Sequence, residues 1–177
     1  MNNEEKTLSR KEIYKGRIIH LYDDKIECPN GDIAYREYIV HPGGASILAL
    51  YDNKIIFERQ FRYPYHKEIF ELPAGKLEVG EDPYLAAKRE LEEETGLISL
   101  GLIKVGVLYP SPGYTDEVIH LFFSENNTMG SIKRDKDEFM DLVYLDIKDA
   151  YMLLDKGEIK DAKTQVLLYK LRDKLTK

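Results

Sequence analysis

The segment from Asp82 to Gly96 constrains this 177-residue chain more than any other. Asp82 can cap a helix, Pro83 suits the first helical position, and Gly96 suits the C-terminal stop, so the spacing predicts a helix over 83–95. Within it Glu90, Glu93 and Glu94 crowd one face: helical residues four apart lie about 40° apart, and residues three apart about 60° in the other direction. Leu85, Ala86 and Leu91, with small Ala87 nearby, form the opposite stripe and are expected to face a core. Three stacked carboxylates need positive charge. Arg89 lies one turn before Glu93 and can supply part of it; a divalent cation can satisfy the rest. Hard oxygen ligands suit Mg²⁺, with Mn²⁺ as the alternative. Taken by itself, a Glu-Glu-Glu run is more simply a solvated surface.

Around this helix the chain reads as alternating strands. Two extended segments between Ile18 and Val40 flank Pro29-Asn30-Gly31-Asp32, a hairpin signal. Residues 1–12 are polar and are expected to fray. Ser46–Tyr51 and Lys54–Glu58 form a second hairpin around Asp52-Asn53, with a buried first strand; Glu68–Leu72 is a further strand, stopped by Pro73-Ala74-Gly75. Strands are also expected near Leu102–Leu108, Val118–Phe123 and Leu142–Leu145, a mobile polar loop over 126–137, and helices near Ile147–Asp155 and Asp161–Leu175. The fold class is α/β, a mixed β-sheet between helices with an N-terminal β extension. Residues 1–40 form the extension and 41–177 the main domain.

Composition narrows the partners. A formal net charge of −6 makes nucleic acid an unsuitable partner, whereas a small polyanion held through divalent metal is allowed. One cysteine, Cys28, cannot form an internal disulfide, and no apolar run approaches a membrane span. The expectation is a soluble cytoplasmic protein with no membrane partner. The four histidines form no HxxxH or HxH pair, so zinc is not expected.

Gly75, Glu81, Arg89, Glu90, Leu91, Glu93, Glu94, Gly96 and Leu97 share one spaced pattern. It runs Gly, five residues, Glu, seven residues, Arg-Glu-aliphatic-any-Glu-Glu-any-Gly-aliphatic. This resembles the Nudix box at every defined position, a coincidence of roughly 10⁻⁷ per start point. The resemblance implies the Nudix fold and metal-assisted cleavage of a diphosphate. It implies Glu90, Glu94 and the Ala74 carbonyl as metal ligands. Glu93 would be a further catalytic carboxylate or the partner of Arg89, and Gly75, Glu81, Arg89 and Gly96 would support the site.

Three further segments resemble the ADP-ribose branch of that family. Pro112, in Ser111-Pro112-Gly113, stands fifteen residues after Leu97. Gln60-Phe61-Arg62-Tyr63-Pro64 resembles a segment whose arginine contacts the substrate diphosphate. Asp161-Ala162-Lys163-Thr164 opens the last helix as in bacterial ADP-ribose hydrolases. Arg36, in an Arg-Glu pair, is a second candidate for the diphosphate. The resemblance implies a nucleoside diphosphate substrate, ADP-ribose cleaved to AMP and ribose 5-phosphate. It also implies a homodimer built through residues 1–40, with a shared site. Taken one at a time, Ser-Pro-Gly is a common turn, Arg62 and Arg36 suit surface pairing, and Asp161 suits a helix cap.

One departure concerns the loop before the last strand. Glu138 aligns with a catalytic or metal-ligating glutamate, but the expected base two residues earlier aligns with Lys136. A protonated lysine cannot take a proton from water, so the general base is left unassigned. Two other functions fit: hydrolysis of another nucleoside diphosphate derivative, such as a nucleotide sugar or dinucleotide, and non-catalytic ADP-ribose binding.

Overall fold

A computed structural model describes residues 3–134 and 139–177. The chain divides into two compact units, 1–43 with 109–118, and 44–108 with 119–177.

The first unit is an antiparallel meander of β1 (Lys6–Lys15), β2 (His20–Glu27) and β3 (Ile33–Val40). Its β2–β3 loop closes through Cys28 N–H to Asp32 O (2.8 Å) and Gly31 N–H to Cys28 O (2.8 Å). Gly31 takes a φ of 89°, which is why a glycine stands there. The fraying expected over 1–12 is corrected. β1 exposes every side chain, so its sequence carries no burial pattern, yet its backbone pairs along the length of β2. Arg10 anchors it, reaching the buried Asp24 at 3.1 Å and lying over the Tyr22 and Tyr38 rings. The 109–118 segment joins this unit through a bridge at Ile39 and Thr115.

The second unit is built on a mixed sheet. Its strands are β4 (Gly44–Tyr51), β5 (Lys54–Arg62), β6 (Lys67–Glu71), β7 (Ala74–Lys76), then, after α1 (Pro83–Thr95), β8 (Leu97–Ser99), β9 (Leu102–Leu108), β10 (Ile119–Ser124), β11 (Asn127–Met129) and β12 (Met140–Asp146). Helices α2 (Ile147–Asp155) and α3 (Ala162–Leu175) follow. The main order is β12-β5-β4-β10-β9, with β6 on β5 and β7 on β4. β10 and β4 are parallel; the other pairs are antiparallel. Asp52 and Asn53 both have positive φ, the backbone of a two-residue turn whose twist matches β4 and β5.

Period-two alternation sends the two faces of this sheet into two cores. Leu48, Ile55, Phe57, Leu121 and Phe123 pack with Ala150, Leu154, Leu167 and Leu168 of α2 and α3. Ile47, Ala49, Ile56 and Phe122 pack with Ala86, Ala87 and Leu91 of α1. The sheet is therefore sandwiched between helices, as expected. Each fully buried Leu or Ile contributes about 1.5–3 kcal/mol. Leu85, expected on the apolar stripe, is instead exposed.

The loop expected over 126–137 is also corrected. β11 pairs antiparallel with β8. The Asn127 amide donates to the carbonyls of Leu50 (2.8 Å) and Ser124 (3.1 Å), so this polar residue fastens backbone where solvent exposure was expected.

Candidate active site

Helix α1 starts and stops where its sequence predicts. The Asp82 carboxylate accepts from Tyr84 N–H (2.8 Å) and Leu85 N–H (3.4 Å). Gly96, at φ 75°, donates its N–H to Glu92 O (2.8 Å). These ends fix the register, and the register sets the Glu90–Glu93–Glu94 face.

Gly75 on β7 shows how closely that face approaches the sheet. A Cβ added there would lie 2.0 Å from the Glu90 carboxyl carbon and 2.1 Å from its Oε1. Only glycine lets the Glu90 carboxyl lie against the backbone. Ala74, its neighbour on β7, donates its N–H to Glu94 Oε2 at 2.9 Å. Adjacent residues of β7 thus lie against two of the box glutamates, Glu90 and Glu94.

Arg89 gathers three carboxylates. Its Nε and Nη2 donate to Glu81 (2.9 Å each), and Nη1 donates to Glu90 Oε1 (2.8 Å) and Glu93 Oε2 (3.0 Å). A further bond runs from Nη2 to Lys76 O (3.1 Å). The Arg89 hydrogen bonds hold the Glu81 carboxyl below the usual carboxylate range. The Arg89–Glu93 pairing expected from sequence is present, within a larger cluster.

Beneath α1 lies a second group that sequence reasoning missed. Glu58 of β5 and Glu71 of β6 are direct cross-strand partners, and each is only 3% exposed. Glu58 and Glu94 face one another closely enough for their carboxyls to share a hydrogen bond. Burial first, then the charges of Glu58 and Glu90, pushes the Glu94 carboxyl well above its ordinary range. Burial likewise pushes Glu58 up to about 7, partly offset by Glu94, Arg134 and Lys163. Its Oε1 is buried and has no hydrogen-bond partner among the described residues. Glu71 behaves oppositely: burial raises it, but Arg62 and Lys163 outweigh burial and hold it low.

Arg62, at the end of β5, forks onto Glu71, with Nη2 to Oε2 at 2.8 Å. Lys163 pairs with the same carboxylate and with Asp161 (2.9 Å). Asp161 caps α3 through Thr164 N–H (2.9 Å), and Thr164 Oγ1 accepts from Leu72 N–H (2.9 Å). One signal for Glu58 was present in the sequence: it shares the parity of Ile56, whose face packs against α1. Lys163 lay in the Asp161–Thr164 segment singled out by resemblance, but nothing in the sequence joined it to Glu71.

Ala74, Gly75, Glu81, Arg89, Glu90, Glu93, Glu94, Gly96 and Arg62 all belong to the second unit, whereas Arg36 and Pro112 belong to the first. Arg36 pairs with Glu5 (Nε to Oε2, 3.0 Å) and donates to Tyr35 O (3.0 Å). Pro112 follows Ser111, whose carbonyl accepts from Tyr114 and Thr115 N–H (3.2 Å each). Glu138 and Lys136 lie outside the described residues.

The donor set fits a hard divalent cation: oxygen ligands, more carboxylates than cations, and an orphaned buried oxygen on Glu58. Among the described residues, no three acidic, histidine or cysteine side chains already converge as a ligand cage.

Known proteins resemble this chain over most of its length. The family described as NUDIX domain matches residues 40–167, and the Nucleoside diphosphate sugar hydrolase N-terminal domain matches residues 5–39. An ADP-ribose pyrophosphatase of Bacillus subtilis (strain 168) is 44% identical over 164 residues, covering 91% of this chain and 89% of that protein. A methanol dehydrogenase activator of Bacillus methanolicus is 40% identical over 172 residues, covering 96% and 93%. The crystal structure of an ADP compounds hydrolase superposes with a TM-score of 0.87 at 21% identity, covering 98% of this chain and 95% of that one, a likeness of fold.

Proposed function

The chain belongs to the Nudix family, and on that premise we propose that it hydrolyses the diphosphate of ADP-ribose to AMP and ribose 5-phosphate. The observation that carries this reading is the carboxylate face of α1, held against Ala74 and Gly75 of β7. The relative named ADP-ribose pyrophosphatase supports the choice of substrate.

Glu90, Glu94 and the Ala74 carbonyl would hold Mg²⁺, with Mn²⁺ as the alternative. Such an ion neutralises diphosphate oxygens and lowers the pKa of bound water. The chain's own residues do the positioning. Arg89 keeps Glu90 and Glu93 aligned along α1, Glu81 fixes Arg89 from the helix entrance, and Gly75 leaves room for Glu90. Arg62 and Arg36 are the diphosphate-binding arginines, each exchanging part of its pairing with Glu71 or Glu5 for substrate oxygens. By the resemblance, Pro112 is a substrate-binding residue and Glu138 adds a carboxylate. Residues 1–40 form a dimerisation extension to the catalytic domain at 41–177. The protein acts in the cytoplasm without nucleic acid or membrane partners; no helix among the described residues is long and apolar enough to cross a membrane.

A second reading is favoured by the match of residues 5–39 to the nucleoside diphosphate sugar hydrolase N-terminal domain: hydrolysis of a nucleotide sugar. Product analysis with Mg²⁺ and a panel of ADP-ribose, NADH, a diadenosine polyphosphate and a UDP-sugar separates the two. Fastest release of AMP and ribose 5-phosphate from ADP-ribose supports the first; faster turnover of the UDP-sugar supports the second. Stabilisation by ADP-ribose without any turnover would replace both with a binding module.

A further inference from the structure

Glu58 is a buried carboxylate that no motif accounts for. It sits on β5 after Ile55, Ile56 and Phe57, all fully buried, and shares the sheet face that Ile56 presents to α1. A carboxylate in such a place is strongly disfavoured unless something positive meets it. The nearby cations are committed elsewhere. Arg62 and Lys163 are bound to Glu71, and Arg89 to Glu81, Glu90 and Glu93. Arg134 donates to the carbonyls of Glu94 (2.8 Å) and Met140 (3.0 Å).

What Glu58 does face is Glu94. The Glu94 carboxyl is 5% exposed, and its Oε2 is held by the Ala74 N–H, so its direction is set by β7. Glu58 approaches within hydrogen-bonding reach of it, and Glu58 Oε1 is buried without a partner among the described residues. Two neighbouring buried carboxyls, one with an unsatisfied oxygen, are the kind of oxygen donors that a hard divalent cation takes.

We propose that Glu58 is a ligand of the divalent cation held by Glu94, adding a carboxylate from the sheet to those supplied by the helix. This rests on the reading of Glu94 as a metal ligand. It assigns the cation three chain elements: α1, the β7 backbone and β5. The competing account is structural, a carboxyl pair closed by a shared proton.

The test is Mn²⁺ binding to the full-length protein without substrate, with free Mn²⁺ followed by electron paramagnetic resonance. Wild type is compared with Glu58→Gln, Glu58→Leu and Glu94→Gln, and each variant's fold is checked by circular dichroism and melting in chelator. Glu58→Leu continues the apolar run of β5 and keeps the test open if the glutamine variant folds poorly. The expected result is a tenfold or greater weakening of Mn²⁺ affinity in both Glu58 variants, with their melting temperatures in chelator equal to or above wild type. Wild-type Mn²⁺ affinity in the Glu58 variants, with affinity lost in Glu94→Gln, overturns the proposal and leaves the Glu94 site standing. Unchanged affinity in Glu94→Gln overturns the underlying reading, and the proposal with it.

Discussion

Two carboxylate clusters lie within one turn of each other on α1 and are treated in opposite ways. At Arg89 three glutamates share one guanidinium, which also bonds the Lys76 carbonyl. At Glu94 two buried carboxyls face each other, and the group nearest their charge is a backbone N–H. The first cluster is met by a side-chain cation of the chain itself, which suits a structural task. The second is not, and a cation is what would complete it. Scaffold and chemistry thus alternate along a short stretch of helix: Arg89, Glu81 and Glu93 fix the geometry that Glu94 and Glu90 use.

This contrast can be broken first at its unsatisfied end. Glu94→Gln keeps the shape and the Ala74 contact but removes the charge, and kcat is expected to fall on the order of 10³-fold or more, measured by AMP release. Gly75→Ala comes next. Its new Cβ would meet the Glu90 carboxyl at 2.0 Å, so Glu90 must shift; a loss of about 10²-fold in kcat/KM is expected, since misplacement by about 1 Å suffices. Full activity in that variant would mean that Glu90 can move without cost.

The satisfied end should respond in stability more than in chemistry. Arg89→Gln leaves Glu81, Glu90 and Glu93 without their common cation, with an expected loss of about 2 kcal/mol in chemical denaturation. A stability loss smaller than the activity loss would move Arg89 from scaffold to chemistry. The smallest effect is expected at Glu71. Its carboxyl is held low in the folded protein, so its ionised form stabilises the fold above the ordinary glutamate range, and that stability is lost as pH falls through the depressed value. Arg62→Gln removes the largest of the effects that lower it. The folded pKa then rises and acid unfolding, followed by circular dichroism, should begin at higher pH.

What the sequence revealed was local. Asp82, Pro83 and Gly96 specify α1 because caps and φ preferences act within a few residues, and Asp161 does the same for α3. The box glycine was legible as a motif, but its reason, the Glu90 carboxyl lying where a Cβ would stand, needed β7 beside α1. β1 was misread because none of its side chains is buried; its strand identity comes from pairing with β2. Glu58, Glu71 and Lys163 were missed as a site for a related reason. Their meeting depends on the register of β5 with β6 and on the docking of α3.

The pairing of Lys163 with Glu71 spans 92 residues of chain, as does the bond from Leu72 N–H to Thr164. Synthesis runs from the N-terminus, so Glu58, Glu71, Glu90 and Glu94 have left the ribosome well before the half-buried Lys163. During that interval Glu71 of β6 has Arg62 of β5 to pair with, while the second cation that meets it, Lys163, belongs to α3. The Lys163 and Thr164 side of the centre is therefore completed late in the life of the polypeptide, when α3 arrives.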